Sequence, residues 1–150
     1  MNIRIGKSNL SCLLSLSAVA LLLLGACQSE NQISYARYYT SGKQLYDRHC
    51  QNCHSQDGTG LKGLIPPLTD TTFLSKNKGR LACIIKYGMH DTISVNGREY
   101  NSEMPGNSSL PDIDIAAIVT YITNSFGNKQ GLYRTTDASE DLSDCPSHRH

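Results

Sequence analysis

The chain has 150 residues, a length that favours one domain, and its 14 basic and 13 acidic residues give a formal net charge of +1. This balance excludes the strongly basic proteins that bind nucleic acids through their net charge. With no Trp, eight Tyr and two Phe, a chain of this size builds only a modest hydrophobic core. A buried cofactor or a covalent cross-link would therefore help to stabilise it.

The N-terminus has the pattern of a secretion signal. Arg4 and Lys7 give it a positive start, and no acidic residue comes before Glu30. The apolar run at residues 13–24 is shorter than the about 20 residues that a membrane-spanning helix needs. A basic start followed by a short apolar run predicts export from the cytoplasm rather than a transmembrane anchor.

Leu24-Gly25-Ala26-Cys27 follows this run and resembles the bacterial lipobox, whose Cys is acylated and becomes the new N-terminus. We therefore expect residues 1–26 to be a lipoprotein signal peptide and a lipid on Cys27 to anchor the mature protein to a membrane. Ordinary cleavage after Ala26, which leaves a free Cys27, is the alternative. The expected location is the bacterial cell envelope, with the protein facing the periplasm.

Processing also affects charge and the state of the cysteines. Loss of Arg4 and Lys7 leaves 12 basic residues against 13 acidic ones. Because no polybasic patch remains, the acyl chains must hold the protein at the membrane. Export places the chain in an oxidising compartment, where spare thiols tend to pair, and we expect a disulfide between Cys83 and Cys145.

Residues 27–40 are polar and rich in Tyr, with no clear apolar period, and predict a tether between the lipid and the domain. The domain is expected at residues 41–127, followed by an acidic tail at residues 128–150 that the disulfide would pin in place. The first helix is indicated by residues at positions i, i+3, i+4, i+7, i+8 and i+11 of one helical face, namely Gly42, Leu45, Tyr46, His49, Cys50 and Cys53.

Cys50-Gln51-Asn52-Cys53-His54 is the strongest signal in the chain. Two thiols separated by two residues, at the end of a helix, can form thioether bonds with the two vinyl groups of one haem. The next residue, His54, is then carried under the ring and becomes the proximal iron ligand. We therefore expect one covalently bound haem c.

Two other kinds of site use cysteines in a similar way. A dithiol redox motif is expected within a thioredoxin-like βαβ pattern, which the sequence lacks. A zinc site needs four ligands, and Cys50, Cys53, Cys83 and Cys145 could supply them. The predicted export, the helix before the motif and the loop after it favour haem, and zinc stands as the main alternative.

Beyond the motif, residues 58–67 contain three Gly and two Pro, which exclude a regular element. A second helix is predicted from about Asn77 to Tyr87, and a β-hairpin at residues 92–100 around the turn Asn96-Gly97. The last helix starts at Leu110-Pro111-Asp112 and ends at Gly127. Cys83 lies off the apolar stripe of the second helix, so a partner outside the core is expected for it.

Together these pieces resemble the class I cytochromes c, from about Gly42 to Gly127. The resemblance rests on the first and last helices, the Cys-x-x-Cys-His motif, Ile65-Pro66-Pro67-Leu68 and Met104-Pro105-Gly106. It implies an all-α fold of about three to four helices around one haem, here with the hairpin near residues 92–100 as an insertion. It also implies that the carbonyl of Pro66, with Pro67 as the alternative, accepts a hydrogen bond from His54 Nδ1.

The same resemblance makes Met104 the second axial ligand of the iron. Met104 is followed by Pro and lies in a loop between the hairpin and the last helix. Met89 is the runner-up, and His90 and His49 are further candidates, whereas the ordinary role of a Met is packing. Iron held by His and Met has no vacant site for dioxygen or peroxide, and the neutral thioether favours Fe(II).

These ligands predict an electron-transfer protein rather than an enzyme. It would exchange single electrons with a respiratory complex, a reductase or a dehydrogenase through short-lived contacts. Basic residues between Lys62 and Arg98 could steer an acidic partner, or simply form a solvated surface. The second hypothesis is an open haem site that binds peroxide or a small gas, with His90 beside it. A structural zinc protein is the third.

Overall fold

The computed structural model describes residues 29–146. The chain divides into two units, Met1–Ile33 and Ser34–His150, and in the first of these only residues 29–33 are described, where a helix begins. The predicted signal peptide, Cys27 and the start of the predicted tether lie outside the described residues. Among the helices of residues 29–146, none is both long and apolar enough to cross a membrane.

Six α-helices and two short antiparallel ladders make up the described part of the chain. The helices are α1 (Glu30–His49), α2 (Gln51–His54), α3 (Thr71–Lys76), α4 (Leu81–Tyr87), α5 (Asp112–Ile122) and α6 (Thr135–Ser143), with a 3-10 turn at Lys78–Arg80. In the ladders, β1 (Gly88–Met89) pairs with β4 (Met104–Pro105), and β2 (Ile93–Val95) pairs with β3 (Arg98–Tyr100). The predicted all-α fold with a hairpin insertion is confirmed.

α1 begins at Glu30, well before the start near Ser41 that the sequence indicated. Its early turns carry Tyr35 and Tyr39, which continue the apolar stripe of the helix toward its N-terminus. The centre of the Tyr39 ring lies 5.2 Å from that of Tyr121, and Tyr35 stacks on Tyr39. The predicted tether is therefore helical from Glu30 onward, because its tyrosines recur at the spacing of one helical face and pack against the domain. Its connection to a lipid stays a prediction.

α1 crosses α5 at Gly42, where the two helices come close enough to exclude any side chain. A Cβ atom on Gly42 would lie 2.0 Å from the carbonyl oxygen of Ala117 and 2.8 Å from Cβ of Tyr121. α5 itself is buried from Ile115 to Ile122, which is typical of a helix at the centre of a core. The crossing therefore fixes the position of α1 on α5, and with it the position of the motif that follows α1.

The hairpin forms at Asn-Gly, where the sequence predicted it. Asn96 and Gly97 have φ angles of 53° and 71°, the positive values that a tight two-residue turn between strands requires. Asp70 caps α3 by accepting a hydrogen bond from the N–H of Thr72 at 2.8 Å, and it also accepts one from the N–H of Asn96 at 3.0 Å. One carboxylate thus fixes both the start of α3 and the turn of the hairpin.

The acidic tail contains α6, which the sequence pattern did not predict because the segment has few apolar residues. Ala138 is its buried residue. Tyr133, just before α6, donates a hydrogen bond to the Asp141 carboxylate at 2.5 Å. The hydroxyl oxygen of Tyr38, in α1, accepts a hydrogen bond from the first N–H of α6, that of Thr135, at 3.2 Å. The tail is therefore held by polar contacts as well as by apolar burial.

The predicted disulfide between Cys83 and Cys145 is present, and it joins α4 to the residues that follow α6. It closes a loop with a sequence separation of 62 residues. In the chain-entropy model, closing a loop of that length stabilises the folded state by about 4 kcal/mol. The bridge therefore holds the tail on α4, the helix that leads directly into β1.

Candidate haem site

The Cys-x-x-Cys-His motif forms a helical turn directly after α1. Cys50 is half-buried and Cys53 is exposed, and these two are the free cysteines among residues 29–146. The N–H of His54 donates to the carbonyl oxygen of Cys50 at 2.9 Å, so that the two thiols and the imidazole come from one turn. Burial, more than the neighbouring Cys53 thiol, raises the pKa of Cys50 to about 11.

His54 is buried, with 8% of its surface exposed, and its ring is held by one hydrogen bond. Its Nδ1 lies 3.2 Å from the carbonyl oxygen of Pro66. Because a carbonyl can only accept, this contact places the proton on Nδ1 and leaves a lone pair on Nε2. Burial lowers the pKa of His54, although the hydrogen bond to Pro66 opposes it. Burial therefore favours the neutral imidazole, which is the form that binds a metal ion.

The loop after the motif folds back so that Pro66 reaches His54. The buried Tyr46 hydroxyl donates to the carbonyl oxygen of Ser55 at 2.6 Å. The Ser55 hydroxyl donates to the carbonyl oxygen of Gly60 at 2.9 Å. The N–H of Gly60 donates to the carbonyl oxygen of His54 at 2.9 Å. A Cβ on Gly60 would lie 2.7 Å from the Pro66 carbonyl oxygen. Tyr46 and Gly60 thus contribute to the site, a role that the sequence analysis did not assign to either residue.

A cavity that opens to solvent lies next to this loop, and the empty space within the cavity and its mouth is about 610 Å³. Its walls are almost entirely apolar and come from α3, α4, α5 and the hairpin. Among them are Phe73, Ile84, Ile85, Val95, Ile118 and Ile122. Cys50 and His54 face it from the motif side, and Met89 and Met104 from the ladder of β1 and β4. The structure therefore brings four of the residues that the sequence analysis named to one apolar space.

A second cavity, which also opens to solvent, has Cys53 in its wall. The two cavities have walls in common, formed by His54, Pro66, Met89, Ile93 and Met104. Each cavity thus has one thiol of the motif, and both share the imidazole and two thioethers. A flat, mainly apolar macrocycle with two points of attachment and soft axial ligands matches these groups, so the residues present fit a covalently held haem.

Met89 and Met104 face each other across the ladder of β1 and β4. The strands are antiparallel, with Met89 opposite Met104 and Gly88 opposite Pro105. Directly opposed residues of antiparallel strands have side chains on the same face of the ladder. Both sulfur atoms therefore belong to the same side of the site. The geometry does not choose between the two as ligand, and the assignment of Met104 stays a prediction.

Two glycines allow this ladder to pack tightly on the end of α4. A Cβ on Gly88 would lie 2.5 Å from the Met104 carbonyl oxygen, and a Cβ on Gly106 would lie 2.6 Å from the backbone nitrogen of Gly88. The N–H of Asn107 also donates to the carbonyl oxygen of Ile85 in α4 at 2.9 Å. Gly88, directly before Met89, and Gly106, two residues after Met104, are the sequence signal from which this close approach could have been predicted.

The other candidate ligands lie elsewhere. His49 is exposed and lines neither cavity. His90 is exposed too, with its Nδ1 3.6 Å from Glu103 Oε1. The zinc alternative lacks its ligands, because Cys83 and Cys145 are joined in the disulfide. Within residues 29–146, no group of three or more His, Cys, Asp or Glu is placed to hold a metal ion.

Most of the described domain is similar to known proteins. Residues 39–125 match the family model Cytochrome c. Cytochrome c-552 of Thermus thermophilus is 33% identical over 114 residues, which cover 73% of this chain and 71% of that protein. The fructose dehydrogenase cytochrome subunit of Gluconobacter japonicus is 36% identical over 97 residues, and the cytochrome c subunit of alcohol dehydrogenase (quinone) of Gluconacetobacter polyoxogenes is 34% identical over 90. These cover 61% and 59% of this chain, but 20% and 19% of those subunits.

The cysteine assignment predicts which variants lose covalent haem. In protein matured with haem, the double variant Cys50→Ala/Cys53→Ala has no thiol for a thioether bond, and acidified acetone should extract all of its haem. The matched control is Cys83→Ser/Cys145→Ser, which loses the same number of cysteines and should keep its haem through extraction and denaturing electrophoresis. Covalent haem in the first variant, or its loss in the second, would contradict the assignment.

Proposed function

The chain belongs to the cytochrome c family and holds one covalently bound haem c, and we propose that it is a one-electron carrier in which His54 and Met104 are the axial ligands of the iron. The observation that carries this proposal is that both side chains line one apolar cavity together with Cys50. Met89 lines it too, and Met104 is preferred because Met104-Pro105-Gly106 resembles the methionine segment of the family. Once bound, the haem supplies the iron that gains and loses the electron.

His54 is prepared to act as a fixed, neutral ligand. Its hydrogen bond to Pro66 holds the proton on Nδ1, so Nε2 is the atom left to bind iron. Burial and the tightly bonded loop from Ser55 to Gly60 restrict the ring. A ligand that does not move keeps the reorganisation small when an electron arrives, and this favours fast electron transfer.

Met104 would complete the coordination with a soft, uncharged sulfur atom. A thioether favours Fe(II) over Fe(III) and raises the reduction potential, and the apolar walls act in the same direction by excluding water. Apart from His54, neither His nor Arg lines the two cavities. This lining supports a carrier with a closed iron rather than an enzyme that activates peroxide.

The exposed surface around the second cavity supports contact with other redox proteins. Cys53 is exposed, and Leu64, which lines the same cavity, has 55% of its surface exposed. Leu61 is exposed to a similar extent, and Lys62 lies between them. A small apolar surface with a basic residue suits short-lived contacts with a partner of opposite charge.

The partner is proposed to be a dehydrogenase, a reductase or a respiratory complex. Two of the similar proteins are, by name, cytochrome subunits of a fructose dehydrogenase and of a quinone-dependent alcohol dehydrogenase. This chain covers about a fifth of their length. What it has in common with them is one cytochrome segment, which supports electron exchange with such enzymes.

We expect the oxidised wild-type protein to show a weak far-red absorption band, the sign of sulfur on the iron, and the reduced protein to bind carbon monoxide poorly. Met89→Leu, a substitution of similar volume, should keep the band because Met104 still supplies its sulfur. Visible spectra with and without carbon monoxide test both expectations. Loss of the band in Met89→Leu would make Met89 the native ligand, and ready carbon monoxide binding by the wild type would favour an open haem site.

We also propose that a lipid on Cys27 holds the protein at a membrane of the cell envelope, with the domain facing the periplasm. The support is the sequence Leu24-Gly25-Ala26-Cys27 after a short apolar run. Cys27→Ser should abolish incorporation of a labelled fatty acid and move the protein from the membrane fraction to the soluble one. Cys12→Ser, a control within the predicted signal, should change neither. Labelled Cys27→Ser protein would contradict the proposal.

A further inference from the structure

On the side of the site formed by β1 and β4, here called the distal side, there are two thioether side chains, although one is enough to complete the coordination of the iron. Met89 and Met104 are direct partners in the ladder of β1 and β4, and each lines both cavities. Both are half-buried. Core packing is the ordinary role of a second methionine, but packing alone does not require it to stand opposite the proposed ligand and to face the same space.

The backbone around Met89 is set by close contacts that do not involve Met104's side chain. Gly88 has a φ of 85° and lies against the backbone of Met104 and Gly106. Its position follows directly from α4, which the disulfide at Cys83 fixes to the tail. A change in the Met104 side chain therefore leaves the course of β1 in place, and Met89 keeps its orientation toward the cavity.

We propose that Met89 is a reserve axial ligand: when the Met104 sulfur is absent from the iron, the Met89 sulfur binds there and keeps the distal face closed. This inference rests on the proposed ligand pair of His54 and Met104. The exchange replaces one neutral thioether by another, so no proton has to be gained or lost. The unbranched side chain of Met has three rotatable bonds, which let its sulfur reach different positions from a fixed backbone.

The nearest rival for a vacant iron is His90, which directly follows Met89. Its imidazole is exposed, lies 3.6 Å from Glu103 Oε1 and lines neither cavity. To reach the iron, the His90 imidazole would have to leave the solvent and move away from the Glu103 carboxylate. Met89, by contrast, already lines the cavity walls. A neutral thioether also loses little hydration when it is buried. The observations therefore favour Met89 over His90.

The test compares Met104→Ala with Met104→Ala/Met89→Leu, both matured with haem. In the single variant, Met89 should supply sulfur, so a far-red band should persist at a shifted position. In the double variant the band should disappear. If Met89 occupies the iron about nine-tenths of the time, the apparent affinity of the reduced single variant for carbon monoxide should be about tenfold weaker than that of the double variant. Leu has nearly the volume of Met, so the second substitution adds no cavity.

Loss of the band in Met104→Ala, together with carbon monoxide binding as strong as in the double variant, would overturn the inference. A low-spin spectrum without the band in both variants would also overturn it, since a nitrogen ligand such as His90 would then fill the site. Far-ultraviolet circular dichroism shows whether each variant is folded. The proposed function fails separately: absence of the far-red band in the wild-type protein, or its loss in Met89→Leu, removes Met104 as the native ligand whatever the Met104 variants show.

Discussion

The close crossing of α1 and α5 at Gly42 is the contact on which the rest of the site depends. The helices approach until a Cβ on Gly42 would overlap the backbone of Ala117. Tyr46, one turn later in α1, consequently packs its ring 5.3 Å from that of Tyr121 and 5.4 Å from that of Phe126. Cys50, two turns after Gly42, lines a cavity whose walls also include residues of α5. The position of the thiols is thus decided by a helix contact more than a turn away.

The distal side depends on α4 in a comparable way. The loop from Met104 to Leu110 is bonded back to this helix, since the N–H of Asn107 donates to Ile85 and the Lys86 ammonium donates to the Leu110 carbonyl at 2.5 Å. α4 is in turn joined to the tail through the disulfide. A carrier of single electrons benefits from ligands that stay in place when the charge of the iron changes. Here α1 and α5 position His54, while α4 and the tail position the methionines.

Local patterns in the sequence were enough to predict the Cys-x-x-Cys-His motif, the Asn96-Gly97 turn and the buried helix before Gly127, because each depends on residues close together in the chain. The disulfide followed from export and from two unassigned cysteines. The N-terminal half of α1 was missed because its period is formed by tyrosines among polar residues. α6 was missed because the disulfide and polar contacts hold it in place. The pairing of β1 with β4 was missed because strands of two residues are too short to show an alternation of apolar and polar side chains.

The central claim is that the protein is an electron carrier that reacts through the surface around Cys53. The most direct test is the rate of electron self-exchange between oxidised and reduced copies of the protein, measured from line broadening in nuclear magnetic resonance spectra. Leu64→Glu should slow the exchange by about tenfold or more, because it brings like charges together at the contact. Ile113→Glu, at a residue with the same 55% exposure that lines neither cavity, should leave the rate nearly unchanged. Equal rates in the two variants, or slow exchange in the wild type, would contradict the account.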